Sequence, residues 1–226
     1  MKGKRIFYSE IAYCLGIIIL ALGTALMEKA DFGMSMVVAP AYLLHLKISQ
    51  FLPFYSFGMS EYVFQAFLLI VLSVVMKKVK KIYFLSFATA FIYGLVLDLT
   101  MALTGLISKE TLILQIVFYL MGMVICSVGV ALLFHTYLPP EAYELFVKEL
   151  SEKTNTSIAK TKTIYDICGC ILALILSVVF FKDLVGIKWG TFVCAVINGW
   201  LIGRISAFLD KNFLFKDALK LRNRIY

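Results

Sequence analysis

The sequence predicts an all-α polytopic membrane protein whose six transmembrane helices form a 3+3 inverted repeat. The first reason is composition: the 226 residues are 62% hydrophobic and 16% charged, and the mean hydropathy is +0.91. An ordinary soluble domain is far less apolar, and the apolar runs here approach the roughly 20 residues that cross a bilayer. The second reason is an internal repeat.

The repeat relates residues roughly 105 positions apart. The stretch Gly16–Leu26 recurs as Gly122–Leu132, and Phe87–Gly94 recurs as Phe192–Gly199. A repeated unit of three spans must face opposite ways in its two copies, as in many secondary transporters that bind substrate near the bilayer midplane. We therefore predict a first repeat over residues 1–106, a second over 107–210 and a basic cytoplasmic tail over 211–226.

Six apolar runs mark the transmembrane helices, and the basic residues orient them. The first run is longer than a signal-peptide core and has a counterpart in mid-chain, so we expect it to be a retained span. Most lysines and arginines precede the first span, follow the last, or lie in the second and fourth connections, which predicts that both termini are cytoplasmic. The predicted spans are Ser9–Met27, Gly58–Met76, Ile82–Leu106, Thr111–Phe134, Thr163–Phe181 and Leu184–Leu209.

Each half contains one further segment that is too short to cross the bilayer, Gly33–Ile48 in the first half and Pro139–Leu150 in the second. Pro140 suits the first turn of a helix, and Glu141 and Glu144 follow at its positive end. Each segment is predicted to be either an amphipathic helix on the membrane surface or a half-helix that dips inward. Broken elements at matching positions point to a transporter site.

Several weak motifs follow one another across the two halves. They are Phe32-Gly33-Met34-Ser35, Ser56-Phe57-Gly58-Met59-Ser60, Tyr93-Gly94 with Asp98, Leu138-Pro139-Pro140-Glu141, Lys162 to Asp166, and Asn198-Gly199. Their order resembles the YczE/YitT-like group of bacterial integral membrane proteins. The resemblance covers about residues 10–208 and implies a bacterial inner-membrane protein whose second-half basic and acidic pair corresponds to Lys162 and Asp166. The first-half turn departs from the group, because Gly33-Met34-Ser35-Met36 stands where a Gly-Pro-Trp-Asp-like turn is common.

Charged side chains at membrane depth are the first candidates for function, since each costs about 2.5–3.5 kcal/mol on insertion scales. Asp98 is either an interface residue or a carboxylate that binds a proton or cation. Arg204 either extends to the membrane surface or pairs with a buried carboxylate. Glu61, with Ser60 as predicted N-cap, and Asp166 open the middle spans, where they either stabilise helix dipoles or act as gates, Glu61 facing out and Asp166 facing in.

A substrate pocket is predicted near the midplane between the halves. Its walls are Gly23, Gly129, Tyr93, Asn198 and the ends of the two short segments, and Asp98 supplies negative charge there. The alternative for the polar members is hydrogen bonding between helices. The GxxxG spacing of Gly199 and Gly203 serves either internal packing or a homodimer.

These features predict a transporter or permease for a small solute, coupled to protons or cations. The alternatives are a substrate-capture subunit that needs an energising partner, and a non-transporting accessory protein.

No catalytic or nucleotide-binding motif is present, so neither an enzyme nor a cofactor is expected. The net charge of +8 lies in clusters between apolar runs, so membrane lipid rather than nucleic acid is the expected partner. The five cysteines lie in apolar runs and His45 and His135 stand alone, so no metal site is expected.

Overall fold

The computed structural model describes residues 4–107 and 111–219. Six of its helices are long and apolar enough to span a membrane, and two are short, which confirms the predicted set of elements. Lys109 and the basic residues beyond 219, used to predict the topology, lie outside the described residues. The helices are α1 (Ser9–Ala30), α2 (Ala39–Ile48), α3 (Phe57–Met76), α4 (Lys81–Gly105), α5 (Leu112–Phe134), α6 (Ala142–Thr154), α7 (Ile158–Phe181) and α8 (Trp189–Asn212).

Side-chain hydrogen bonds set two helix starts away from the predicted positions. Helix α3 begins at Phe57 because the Ser56 hydroxyl oxygen accepts the N–H of Met59 at 3.0 Å, so the prediction of Ser60 as the N-cap was wrong. Helix α8 begins at Trp189 rather than Leu184. The Ser177 hydroxyl donates to the carbonyl of Asp183 and accepts the N–H of Val185, each at 2.7 Å, which holds the preceding loop outside the helix.

Helices α1 and α5 form the centre of the bundle and contact each other through glycines. Gly16 lies against Gly129, and Gly23 lies against Gly122, so the two helices run antiparallel. A Cβ atom at Gly23 would stand 2.6 Å from the backbone nitrogen of Cys126, and one at Gly129 would stand 2.7 Å from that of Leu20. The two backbones therefore touch, and no larger residue fits between them.

The remaining helices pack around this pair in a pattern that is the same for both halves. Helix α4 packs on α1 as α8 packs on α5, and α3 packs on α4 as α7 packs on α8. The short helices lie between the two halves, because α2 and α6 each pack on both α3 and α7. The two-fold relation of the halves remains a prediction.

Two four-residue strands, β1 (Arg5–Tyr8) and β2 (Phe213–Lys216), pair in parallel at the two ends of the described chain. Phe7 packs against the rings of Phe213 and Phe215. Such short strands leave no periodic signal in the sequence, which is why the all-α prediction did not include them. Their pairing places both ends of the described chain at one end of the bundle, which is called the terminal side below. The opposite end of the bundle is called the far side.

Candidate functional site

Both short helices begin inside the bundle. Ser35 and Val38, which precede α2, and Glu141, which precedes α6, line the same central cavity. The extended chain before α6 is held there by α4, since Thr89 donates to the carbonyl of Pro139 at 3.0 Å and Ser86 donates to that of Pro140 at 2.7 Å. This geometry favours inward-dipping half-helices over helices that lie on the membrane surface.

Four carboxylates are buried where α6 enters the bundle. Glu61 of α3 is 0% exposed, Glu141 is 1% exposed, and Glu144 of α6 and Asp166 of α7 are each 3% exposed. We call these four residues the acidic cluster. An isolated charge in such surroundings is very unfavourable unless a counter-charge, hydrogen bonds or a bound proton compensates for it.

Hydrogen bonds tie the acidic cluster to both α3 and α6. The Tyr143 hydroxyl donates to Glu61 Oε2 at 2.9 Å. Gln65 Nε2 donates to Glu141 Oε2 at 2.8 Å, and Gln65 Oε1 accepts the N–H of Ala142 at 2.9 Å. Gln65 therefore fixes the first turn of α6 against α3 and holds two of the four carboxyl groups in one network.

One buried lysine accompanies the acidic cluster. Lys162 Nζ lies 3.0 Å from Asp166 Oδ1, and its side chain is largely buried. Among the described residues no other lysine or arginine is buried. The pair of Lys162 and Asp166 is neutral as a unit, so the carboxyl groups of Glu61, Glu141 and Glu144 exceed the positive charge available to them.

Because the buried carboxyl groups outnumber the buried positive charges, the protonated form of these groups is favoured. Glu61 Oε1, Glu141 Oε1 and Glu144 Oε2 have no hydrogen-bond partner among the described residues. Burial, and then the neighbouring charges of Glu144 and Glu61, raise the pKa of Glu141 well above its ordinary value. Burial also raises the pKa of Glu144, against the opposing effect of Lys162. These two carboxyl groups therefore keep their protons to a higher pH than exposed glutamates do.

The central cavity has a volume of about 40 Å³ and brings together two residues that the sequence predicts as pocket walls, Tyr93 and Asn198. Glu141, Glu144 and Lys162 line it as well. The space is enough for a few water molecules or one small polar group. Tyr93 donates to Thr24 Oγ1 at 3.0 Å, and Asn198 Oδ1 accepts from Ser127 at 2.9 Å, so both predicted residues also join helices.

A second and larger space, called the terminal-side groove below, adjoins the central cavity. Its volume is about 320 Å³, and it lies between the end of α5, the start of α7 and the middle of α8. Lys162 and Ile202 line both spaces and therefore separate them. The groove is otherwise mainly apolar, with Leu133, Leu138 and Ile158 among its walls.

Asp98 does not lie on the central cavity, which corrects its predicted place in the pocket. Asp98 Oδ1 accepts the N–H of Gly58 at 2.8 Å, and Oδ2 accepts the hydroxyl of Ser56 at 2.6 Å. The carboxylate therefore caps the start of α3 and joins α3 to α4, because the exposed N–H groups of a helix start bind an anion favourably.

Arg204 is exposed on α8, and its guanidinium lies 5.7 Å from the centre of the Trp200 ring. It therefore does not pair with a buried carboxylate, which was the second of its two predicted roles. Glu61 and Asp166 also differ from their predicted places near opposite membrane surfaces, because both are buried and both adjoin the first turn of α6.

The predicted pocket walls Gly23 and Gly129 and the predicted packing pair Gly199 and Gly203 have different surroundings. Gly23 and Gly129 lie in the close contact of α1 and α5, where they allow the backbones to touch and form no wall of the central cavity. At Gly199 and Gly203, apart from chain neighbours and the backbone of α8, no atom of the described residues lies within 4 Å of the point that a Cβ atom would occupy, and both glycines border the terminal-side groove.

Sequence reasoning missed the residues that form the centre of the site. Glu141 and Glu144 were predicted only as acids at the positive end of a helix. Their spacing in the sequence could have identified them, because acids three residues apart in a predicted helix share one face. The apolar residues Tyr143 and Val147 in the same segment indicate that this region is buried.

A family model described as a family of unknown function, DUF6198, matches residues 7–207. The chain is also 27% identical over 209 residues to the uncharacterized protein YyaS of Bacillus subtilis (strain 168), covering 91% of this chain and 96% of that protein. No solved structure matches the chain. The resemblance to the YczE/YitT-like group remains a prediction.

Proposed function

The chain belongs to this DUF6198 family of unknown function, and we propose that it is a secondary carrier that moves a small solute across the membrane in exchange with protons. The acidic cluster beside the central cavity is the observation that carries the proposal. Burying three carboxyl groups without a cation to balance their charge is energetically unfavourable. A role in binding and releasing protons during transport accounts for their presence.

The difference between the two halves supports alternating access. A Cβ atom at Gly94 would stand 2.7 Å from the carbonyl oxygen of Gly58, so α3 and α4 are closed against each other. Gly199 occupies the corresponding position of the second half, and among the described residues no side chain or backbone of another helix lies within 4 Å of its Cβ position. Carriers built from inverted repeats move by exchanging such unequal arrangements around a fixed site.

On this proposal the structure is the state with the terminal side open. The terminal-side groove gives access to the central cavity past Lys162, while the bonds of Asp98 to Ser56 and Gly58 close the far side. In the other state α8 closes on α7 around Gly199 and Gly203. This use of the two glycines is internal, and we propose it in place of a homodimer contact.

The location follows from the charge pattern. We place the protein in the bacterial inner membrane with both termini cytoplasmic, since the basic residues concentrate on the terminal side. The terminal-side groove then opens to the cytoplasm. The role proposed is transport rather than catalysis.

The test is proton flux in proteoliposomes that contain a pH-sensitive dye and the purified protein. An imposed pH gradient with a mixture of small solutes should produce a solute-dependent proton flux, which Glu141→Gln with Glu144→Gln should abolish. Glu152→Gln, an exposed residue of the same helix, is the matched control and should leave the flux unchanged. Absence of solute-dependent flux in the wild type would overturn the proposal, and tight retention of a solute without flux would favour the capture subunit.

A further inference from the structure

We propose that the solute is a small monoamine, whose ammonium group binds in the central cavity between Glu141 and Glu144 and whose apolar body lies in the terminal-side groove. This inference rests on the proposed carrier function and names its substrate class. It concerns binding first, so it can be tested separately from transport.

The carboxyl groups select the charge of the ligand. Glu141 and Glu144 line the cavity, are at least nine-tenths buried, and each keeps one oxygen without a hydrogen-bond partner among the described residues. Glu141 precedes α6 and Glu144 lies in its first turn, so the start of α6 brings both groups to the same cavity. An ammonium group offers donors to both free oxygens and a charge that offsets theirs.

The size and lining of the two spaces select the rest of the molecule. The central cavity, at about 40 Å³, admits an ammonium group and little else. The adjoining groove, at about 320 Å³, is mainly apolar and suits a short hydrocarbon body. Among the described residues no Asp or Glu side chain lines that groove, so a second positive charge on the ligand would have no counter-charge there. A monoamine fits better than a diamine.

A divalent metal ion is the less suitable occupant. Among the described residues no group of three or more His, Cys, Asp or Glu side chains stands in positions that could hold a metal ion. The carboxyl groups are instead spread around α6, with Glu61 engaged by Tyr143 and Asp166 by Lys162.

The exchange of amine for proton balances in charge. A protonated carboxyl group of the Glu141 and Glu144 pair loses its proton to water, and the resulting carboxylate accepts hydrogen bonds from the alkylammonium ion. One cation enters and one proton leaves, and no other bond changes. The groups that face this pair from the surrounding helices are Tyr13 of α1, Glu61 of α3, Tyr93 of α4, Cys126 of α5, Tyr143 of α6, Lys162, Tyr165 and Asp166 of α7, and Cys194 of α8.

The experiment is calorimetric titration of the purified protein in detergent with n-butylammonium chloride, together with a dye that reports released protons. We expect about one proton released per amine bound, and an affinity that rises roughly tenfold per pH unit while the pair is protonated. Glu144→Gln should weaken binding at least about thirtyfold, as expected when one partner of a buried charge pair is removed. Glu152→Gln should bind as the wild type does.

Three controls separate the alternatives. Butanol and butyrate, which share the hydrocarbon body without the positive charge, should not bind. Equal proton release with sodium chloride would overturn the amine assignment in favour of an inorganic cation, and absence of both heat and proton release with butylammonium would overturn it outright. Proton-coupled flux of other solutes without amine binding would refute this inference alone. Amine binding without any coupled flux would refute the carrier and leave the binding site standing.

Discussion

Gly94 and Gly199 occupy corresponding positions in the two halves, and replacing each with alanine should have opposite effects on stability. The Cβ atom of Gly94→Ala would stand 2.7 Å from the carbonyl oxygen of Gly58 and 3.2 Å from a ring carbon of Tyr62. The backbone of α3 cannot give way as a flexible side chain can. Overpacking of this kind costs about 1–3 kcal/mol.

Gly199→Ala meets no atom within 4 Å among the described residues. It should be neutral or stabilising by up to about 1 kcal/mol, because alanine has the higher helix propensity. The two variants should therefore differ by about 1–4 kcal/mol, which at roughly 2–4 °C per kcal/mol for a chain of this length is about 2–16 °C in Tm.

The assay is thermal unfolding of both variants and the wild type in the same detergent, followed by circular dichroism. Gly94→Ala should unfold below the wild type and Gly199→Ala at or above it. Transport should be reduced more by Gly199→Ala than by Gly94→Ala, because α8 needs the space at Gly199 to close against α7. Equal shifts in Tm for the two variants would refute the assignment of a closed first half and an open second half.

Three further predictions follow from the polar contacts. Asp98→Ala should lower the free energy of unfolding by about 1–3 kcal/mol, because the N–H of Gly58 loses its acceptor, and Asp98→Asn should leave the pH dependence of proton flux unchanged. The pKa values of Glu141 and Glu144 are raised by burial, so the folded state binds more protons than the unfolded state. Stability should therefore fall as pH rises above the ordinary carboxyl pKa, by up to about 1.4 kcal/mol per pH unit for each group, and Glu141→Gln should flatten that profile in thermal unfolding. Gln65→Leu should lower Tm, since it leaves Glu141 Oε2 and the N–H of Ala142 without their partners; an unchanged Tm would remove Gln65 as the link between α3 and α6.

The elements of this fold were predictable because the bilayer makes them long and apolar. The spans ending at Met76, Phe134 and Phe181 end where predicted, since a basic residue or a loop follows each apolar run. The start of α8 was not predictable in the same way. It depends on the hydroxyl of Ser177, whose contacts with Asp183 and Val185 arise only once the loop folds back.

The candidate site was predicted in part. Tyr93 and Asn198 reach the central cavity because the repeat places them at corresponding depths in α4 and α8. Asp98 was misplaced because a carboxylate within an apolar run has the same sequence signature whether it faces a cavity or caps a neighbouring helix. Glu144 was not predicted as a site residue because α6 is polar on average. The burial of Glu144 depends on the packing of α3, α4 and α7 around α6.

Access to the central cavity from both sides of the membrane tests the carrier most directly, and Cys194 is a natural reporter because it lines that cavity. The other four cysteines, Cys14, Cys126, Cys168 and Cys170, would be replaced by serine or alanine, and proteoliposomes treated with a membrane-impermeant thiol reagent from one side at a time under opposite pH gradients. The carrier predicts labelling of Cys194 from the terminal side under one gradient and from the far side under the other. Labelling from one side only under both gradients would contradict alternating access through this cavity.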